Sequence, residues 1–555
     1  MSDATKDETK DQTGTPTEPT PPVDEGKPLF GIKPIKALFA AEYVLQGLAN
    51  PFQGITYQPF LTHFRQTYGL TEAAAQNYFS QSYLAWSFKP ILGFLVDAFG
   101  RTRTLLVVLL GVATIFFAVT PALDSGPGVF FWLMFTLSVV LATTDVVVDR
   151  ATVVEGDAES KESGKSKAAT VGLNQTICWL AIYGTSIFAS ISGGYVAEHF
   201  HINTLLFLLA LVPAMVLVIA WRLPKDTAPL IPLGQSIRNF WDGLNTGPVL
   251  WIVVFYFLFH FQPQGGAIWN NYLQETLSFS QTAIGFSDGA SYVGYFLGTL
   301  AFAKWGIRWQ DQYGLKKLFF YFIPISALFS LTQMFLLDPY FTTITDGIAS
   351  VVPLPKEQVR LGFLSSYSFI LYMVNGFIRM STFSLVGAVI PAAAAGSLFA
   401  GFMSVANLGY SFSYSTGAWL YSDGLKYPAI ASLHSALGLQ PSKDGELSMA
   451  GLVLIGSGAY FLSFLATSRL PNRAETASTE DASAALVGPE HFKALGPSIL
   501  NQTNLATGVL VVAAFVGLWQ GLEQAPIASA LLAFFGMAFL RKVYLDWLFS
   551  RMSPR

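Results

Sequence analysis

Apolar runs of about 20 residues, the length that carries an α-helix across the hydrocarbon core of a bilayer, alternate with short polar stretches along most of the chain. They fall near 37–58, 76–97, 104–122, 129–149, 171–196, 203–221, 249–272, 281–303, 317–337, 361–388, 397–420 and 448–468, and two more follow near 505–522 and 526–545. The pattern predicts an all-α polytopic membrane protein of twelve spans with an appended C-terminal two-helix hairpin. Its expected divisions are a disordered acidic tail over 1–28, a six-helix bundle over 29–221 and a cytoplasmic linker over 222–248. A second six-helix bundle over 249–468, a polar linker over 469–504 and the hairpin over 505–548 complete the chain. Within the first linker, Ser236 to Leu244 has the amphipathic spacing of an interfacial helix. The segment from Asp338 to Arg360, rich in Pro, Gly and Thr, reads as a loop.

Charge orients the spans. With the N-terminus in the cytoplasm, the inner loops carry Arg101, Arg103, Lys161, Lys165, Lys167, Arg222, Lys225, Arg238, Lys304, Arg308, Lys316 and Lys317. The outer loops carry Arg65, Lys356, Arg360, Lys426 and Lys443. Twelve against five satisfies the positive-inside rule, and Arg541, Lys542, Arg551 and Arg555 place the C-terminus inside as well. The acidic tail is neither a signal peptide nor a transit peptide.

Composition agrees, with 52% apolar residues and 12% charged, against roughly 25% charged in soluble domains. A net charge of −3 and the absence of a Lys/Arg-rich run argue against nucleic acid as a partner. With Cys178 as the single cysteine and six scattered histidines, no metal or other cofactor is expected. The chain carries no Walker-type phosphate loop.

Residues that lipid cannot solvate mark the candidate chemistry. In span 1, Glu42, Gln46, Asn50, Gln53 and Tyr57 recur at spacings of three and four and form one polar stripe, facing other helices or an aqueous cavity. Lys89 stands directly before Pro90 in span 2, and Asp145 and Asp149 lie four apart in span 4. Carboxylates so spaced share a proton or accept one cation, and a structural salt-bridge cluster uses the same residues. The second half carries His260, Gln262, Gln264, Asn270 and Asn271 in span 7, Asp288 in span 8, Asn375 and Arg379 in span 10, and Asn407 in span 11. A guanidinium in an apolar span requires a carboxylate, so Arg379 reads either as a contact to an anionic solute or as the partner of Asp288 or Glu42. Tyr410, Tyr414 and Trp419 in span 11 read as packing aromatics.

Two further patterns concern motion. Aligning NPFQGITYQPFL of span 1 with QPQGGAIWNNYL of span 7 pairs Pro51 with Pro263 and Gly54 with Gly266, which predicts loosened helices near mid-membrane in both halves. Gly93, Asp97, Gly100, Arg101 and Arg103 spell G-x-x-x-D-x-x-G-R-x-R, which looks like the loop motif between helices two and three of the major facilitator superfamily. Its Asp and Arg residues are suited to latching the two halves on the cytoplasmic side. Ala98 stands where that motif usually has Arg, which makes for a weaker latch.

EYVLQGLANPFQGITY in span 1, WSFKPILGFLVDAFG and TDVVVDRATVVEG across spans 2 to 4, and AAGSLFAGFMSVANLG at the start of span 11 resemble the folate-biopterin transporter family of that superfamily. The resemblance covers roughly residues 37–468, and Arg150, the run from Ala392 to Ala395 and the hairpin depart from the family pattern. It implies the major facilitator fold and import of a small-molecule solute, a folate or pterin, by alternating access coupled to protons. A pterin presents a 2-amino and N–H edge for a carboxylate, a face for an aromatic ring and, in folate, a tail for a cation. Glu42, Asp145, Asp149 and Asp288 are the candidate acceptors, and Lys89 and Arg379 the candidate cations. The alternatives are a carrier of another anionic solute, such as a muropeptide or acetyl-CoA, and more distantly a membrane-embedded enzyme or a non-transporting receptor.

Overall fold

The computed structural model describes residues 32–51, 53–99, 101–164, 167–224, 232–237, 247–389, 395–441, 446–468 and 470, with scattered positions between 505 and 544. The acidic tail, Gly100, most of the expected interfacial helix, Ala392 to Ala394, the polar linker and nearly all of the expected hairpin lie outside the described residues.

The twelve expected spans form. Helices without a break include Thr102–Leu123 (span 3), Pro127–Ser163 (span 4), Lys167–His199 (span 5), Lys356–Val389 (span 10) and Ala395–Asp423 (span 11). Span 12 is Met449–Thr467, span 9 is Leu315–Leu331 with a tight turn Thr332–Leu336, and span 6 is Ile202–Leu209 followed by Leu211–Trp221. Span 8, Gln281–Ala301, runs on through a π-turn into Ile307–Tyr313. Among the described residues, seven helices are long and apolar enough to cross a membrane as they stand. Most of the remaining spans are broken or polar, and spans 1, 2, 7, 8 and 11 all border the central cavity described below.

The breaks in spans 1 and 7 fall where the aligned Pro and Gly residues lie. Span 1 stops at Ala49 and resumes at Tyr57 (Tyr57–Gln66), because Pro51 has no N–H to continue the ladder. The freed carbonyls are re-satisfied locally: Ile55 N–H donates to Leu48 O over 3.0 Å and Thr56 Oγ1 to Asn50 O over 2.9 Å. Span 7 runs from Gly247 to Phe259, breaks, and resumes as Ala267–Asn271 and a π-turn Tyr272–Thr276. Gly266 sits in that break at φ +80°, a conformation that disfavours any side chain. Span 2 is divided at Phe88 into Glu72–Ser87 and Lys89–Phe99, with Pro90 at the start of the second piece.

One expectation is corrected. The segment from Asp338 to Arg360 contains the helix Tyr340–Ala349, which buries Phe341 and Thr345. Phe341 packs on Phe279 and Phe363, with ring centroids 6.1 and 5.9 Å away. This contact with the fold outweighs the local turn-forming composition.

Within the first half, span 1 packs on spans 5 and 6 and span 3 on spans 4 and 6; within the second, span 7 packs on spans 11 and 12 and span 9 on spans 10 and 12. The halves meet along spans 5 and 8 and along spans 2 and 11. Backbones approach closely where glycines line a seam. A Cβ on Gly298 would stand 2.1 Å from Met373 O, a backbone atom that cannot move without its helix. Gly298→Ala is therefore expected to destabilise the protein by about 1–3 kcal/mol through overpacking, whereas Gly458→Ala, with open space around it, is expected to be neutral. Thermal unfolding of the two variants in detergent checks this, and equal stability of both would refute it.

Candidate functional site

A cavity of about 300 Å³ lies between the halves. Spans 1, 2, 4, 5, 7, 8, 10 and 11 build its wall, together with Gln333 at the end of span 9. The polar stripe of span 1 supplies Gln46, Asn50, Gln53 and Tyr57 to the wall, and Gln53 donates to the Tyr83 hydroxyl. Glu42, expected on the same stripe, is wholly buried and does not line the cavity. It accepts a hydrogen bond from Thr144 Oγ1 over 2.6 Å, and its Oε2 has no hydrogen-bond partner.

Lys89 joins the two acids of span 4. Its ammonium hydrogen-bonds Asp145 and lies 3.8 Å from Asp149, with all three side chains 3% exposed or less. Gln46 Nε2 donates to Asp145 over 2.5 Å, Tyr43 Oη to Asp149 over 2.9 Å and Gln175 Nε2 to Asp149 over 3.4 Å. Lys89 also sits 5.2 Å from the centre of the Trp86 ring. One ammonium thus faces two carboxylates, with Glu42 close behind. Asp145 and Lys89 reach the cavity, while Asp149 is held behind them.

The second half contributes a cation to the cavity wall. The Arg379 guanidinium lies 4.5 Å from the centre of the Trp179 ring, its Nε has no hydrogen-bond partner, and no carboxylate of the described residues forms an ion pair with it. Neither Asp288 nor Glu42 is its partner. Asp288 lines the cavity elsewhere and accepts one hydrogen bond, from Gln58 Nε2 over 3.3 Å. Asn407 also lines the cavity and donates to Trp86 O over 3.4 Å.

Much of the rest of the wall is aromatic. Tyr183 stacks on Tyr295 at 4.8 Å, Tyr295 meets Tyr372 at 4.9 Å, and Tyr83 meets both Tyr410 and Tyr414 at 5.7 Å. Tyr410 and Tyr414 therefore face the cavity rather than only packing, while Trp419 packs against Tyr427 away from it. Sequence reasoning missed Tyr43, Tyr83, Trp179, Tyr183, Tyr292, Tyr295 and Tyr372. For the tyrosines among them the available signal was a phenol hydroxyl in mid-span, which lipid accommodates poorly.

The halves are bound together at the end of the bundle away from the 222–248 linker. Arg65 ion-pairs with Glu275 and donates to Gln274 over 2.8 Å and Asn271 over 3.2 Å. Gln76 clamps the break of span 7, donating to Gly265 O over 2.8 Å and accepting from Ala267 N–H over 2.6 Å. Ser80 Oγ donates to Ser411 O over 2.8 Å. Toward the other end, Trp179 stacks on Phe383 at 4.9 Å.

The described residues of the expected latch make contacts within the first half and with the linker. Asp97 pairs with Arg150 at 3.4 Å and accepts from Ser236 Oγ, in the linker, over 2.9 Å. Arg150, a departure from the family pattern, is the cation that pairs with the Asp97 carboxylate. Gly93 is buried in span 2, Arg101 is exposed, and Arg103 lies 5.5 Å from the Trp221 ring.

The sequence profile of the BT1 family matches residues 46–482. The chain belongs to the BT1 family. Over 177 residues this BT1-family protein is 28% identical to Probable folate-biopterin transporter 4 of Arabidopsis thaliana, a match covering 31% of the chain and 35% of that relative. The match thus spans about a third of the relative's length. Among solved structures, a D-xylose-proton symporter superposes with a TM-score of 0.53 at 16% identity, over 80% of this chain and 98% of that one. A nucleoside transporter and a bacterial homologue of the iron transporter ferroportin each give 0.50 at 16% identity, over 78% of this chain and 98% of theirs. These likenesses show the fold, that of the major facilitator superfamily. The BT1-family chain is a multi-pass membrane protein with this fold, as the sequence motifs implied.

Proposed function

We propose that this BT1-family transporter moves folates or pterin-like solutes across the membrane by alternating access, with protons as the coupling ion. The observation that carries the reading is a tyrosine-lined cavity with a carboxylate-rich wall in one half and, in the other, a guanidinium that no carboxylate of the described residues pairs with. A flat heterocycle with a donor edge and an anionic group complements such a cavity at the edge, the face and the tail. The matched stretch of the Arabidopsis relative, named as a folate-biopterin transporter, supports the same solute class.

Coupling to protons rests on the Glu42, Lys89, Asp145 and Asp149 cluster. Three buried carboxylates face one ammonium, so a proton bound there removes a charge the fold does not balance. Gln46, Asn50, Gln53 and Asn407 are assigned to solute contacts from the cavity wall. Residues 29–221 and 249–468 are the two moving bundles, and Asp97 with Arg150 ties spans 2 and 4 into one unit. The cation distribution supports a cytoplasmic position for both termini.

Uptake of radiolabelled folic acid into proteoliposomes under an inward proton gradient tests the reading. Accumulation is expected, lost when the gradient is dissipated and competed by unlabelled biopterin. Asp145→Asn is expected to retain exchange of folic acid and to lose its acceleration by the gradient. Absence of folate and pterin uptake by correctly folded protein, with uptake of acetyl-CoA or a muropeptide, would overturn it in favour of another anionic solute.

A further inference from the structure

Four carboxylates lie in the middle of the spans, and their surroundings differ. Asp145 is engaged by Lys89 and Gln46, Asp149 by Tyr43 and Gln175, and Glu42 sits behind the wall on Thr144. Asp288 lines the cavity and accepts, among the described residues, a single long hydrogen bond of 3.3 Å from Gln58; no cation of the described residues pairs with it. An ionised carboxylate has about four acceptor sites, and one amide leaves most of them unfilled. In a wall built of span helices, the remaining donors have to come from what occupies the cavity.

The rings around Asp288 give those donors an orientation. Tyr292, one turn farther along span 8, lies 6.2 Å from Tyr295, which is stacked on Tyr183 with an interplanar angle of 6°. Tyr183 meets Trp179 at 5.5 Å, and the Trp179 ring carries the Arg379 guanidinium. A continuous run of aromatic rings thus leads from an under-satisfied acceptor to an under-satisfied cation.

We propose that Asp288, and not the acids of span 4, receives the donor edge of the solute: two adjacent N–H groups of an amidine-like heterocycle, paired with both carboxylate oxygens. The inference rests on the solute class proposed above and names the carboxylate that recognises it. The ring plane lies along the tyrosines and the anionic group points toward Arg379. The span 4 acids, already engaged by protein donors, are left to the proton.

Two pteridines that differ at one position provide the test. Pterin carries a 2-amino donor beside its ring N–H, and lumazine carries an oxygen acceptor there. Equilibrium binding of each to purified protein in detergent is measured for wild type, Asp288→Asn, Asp288→Glu and Asp145→Asn. Wild type is expected to prefer pterin by about 10- to 100-fold, the range of a hydrogen bond to a charged group. Asp288→Asn offers one acceptor and one donor, which matches the lumazine edge, so the preference is expected to vanish or invert. Asp288→Glu keeps both acceptors and is expected to keep the pterin preference, which holds the test open if the asparagine variant misfolds. Asp145→Asn is expected to keep the preference too. A wild-type preference retained in Asp288→Asn, or a preference lost in Asp145→Asn or Asp288→Glu, would overturn the inference while leaving the transport reading intact. Wild-type protein that binds no folate or pteridine would overturn both.

Discussion

Lys89→Ala is expected to abolish uptake and to destabilise the purified protein by about 3–5 kcal/mol, the cost of breaking a buried ion pair by removing one partner. The magnitude follows from position. Lys89 and Asp145 are 2% and 3% exposed, so they meet water only at the cavity edge, and Asp149 at 3.8 Å, held behind them, loses the same cation. Most of the penalty lies in the stranded charge rather than in the value of the pair. The double variant Lys89→Ala with Asp145→Asn removes one such charge and is expected to recover much of the stability without restoring uptake. Thermal unfolding in mild detergent, read beside proteoliposome uptake, separates the two effects. A Lys89→Ala protein as stable as wild type would mean that water or the neighbouring tyrosines already balance the acids.

Arg379→Ala is expected to act on the solute rather than on the fold. Because no carboxylate of the described residues pairs with this guanidinium, its removal strands no charge. Affinity for folate is expected to fall by at least about 30-fold, the lower end of what truncating one partner of a desolvated charge pair costs. Affinity for biopterin, which has no anionic tail, is expected to change by only a few fold. Arg379→Lys is expected to be intermediate, since an ammonium keeps the charge but loses the guanidinium's planar fork over the Trp179 ring. Competition binding with the two solutes reads the ratio directly. Equal losses for both would assign Arg379 to packing of the aromatic wall.

Both variants touch residues visible as anomalies in the sequence, yet their environments were legible to different degrees. Lys89 and the Asp145, Asp149 pair stood out because lipid excludes them, and their distance in sequence concealed that they meet. Arg379 stood out equally, and the partners considered for it, Asp288 and Glu42, are not its partners in the fold. The tyrosines of the wall gave little signal, because a ring in an apolar span reads as packing until the opposing helix is known. The segment around Tyr340 was misjudged for a related reason: its Pro, Gly and Thr content describes local preference, and burial of Phe341 against Phe279 overrides it.

By itself the sequence determined the all-α polytopic class, the twelve spans, the BT1-family membership and the breaks at Pro51 and Pro263. Each of these is set locally, by runs of about 20 apolar residues, by prolines without an N–H, and by short motifs. Only the tertiary structure decided which intramembrane polar groups meet, that Glu42 lies behind the cavity, that Arg150 reaches Asp97 and that Gln76 clamps the break of span 7. These are contacts between residues distant in the chain. Helical periodicity says which face of a helix is polar, whereas the rotation and depth of each helix against its neighbours say what that face touches.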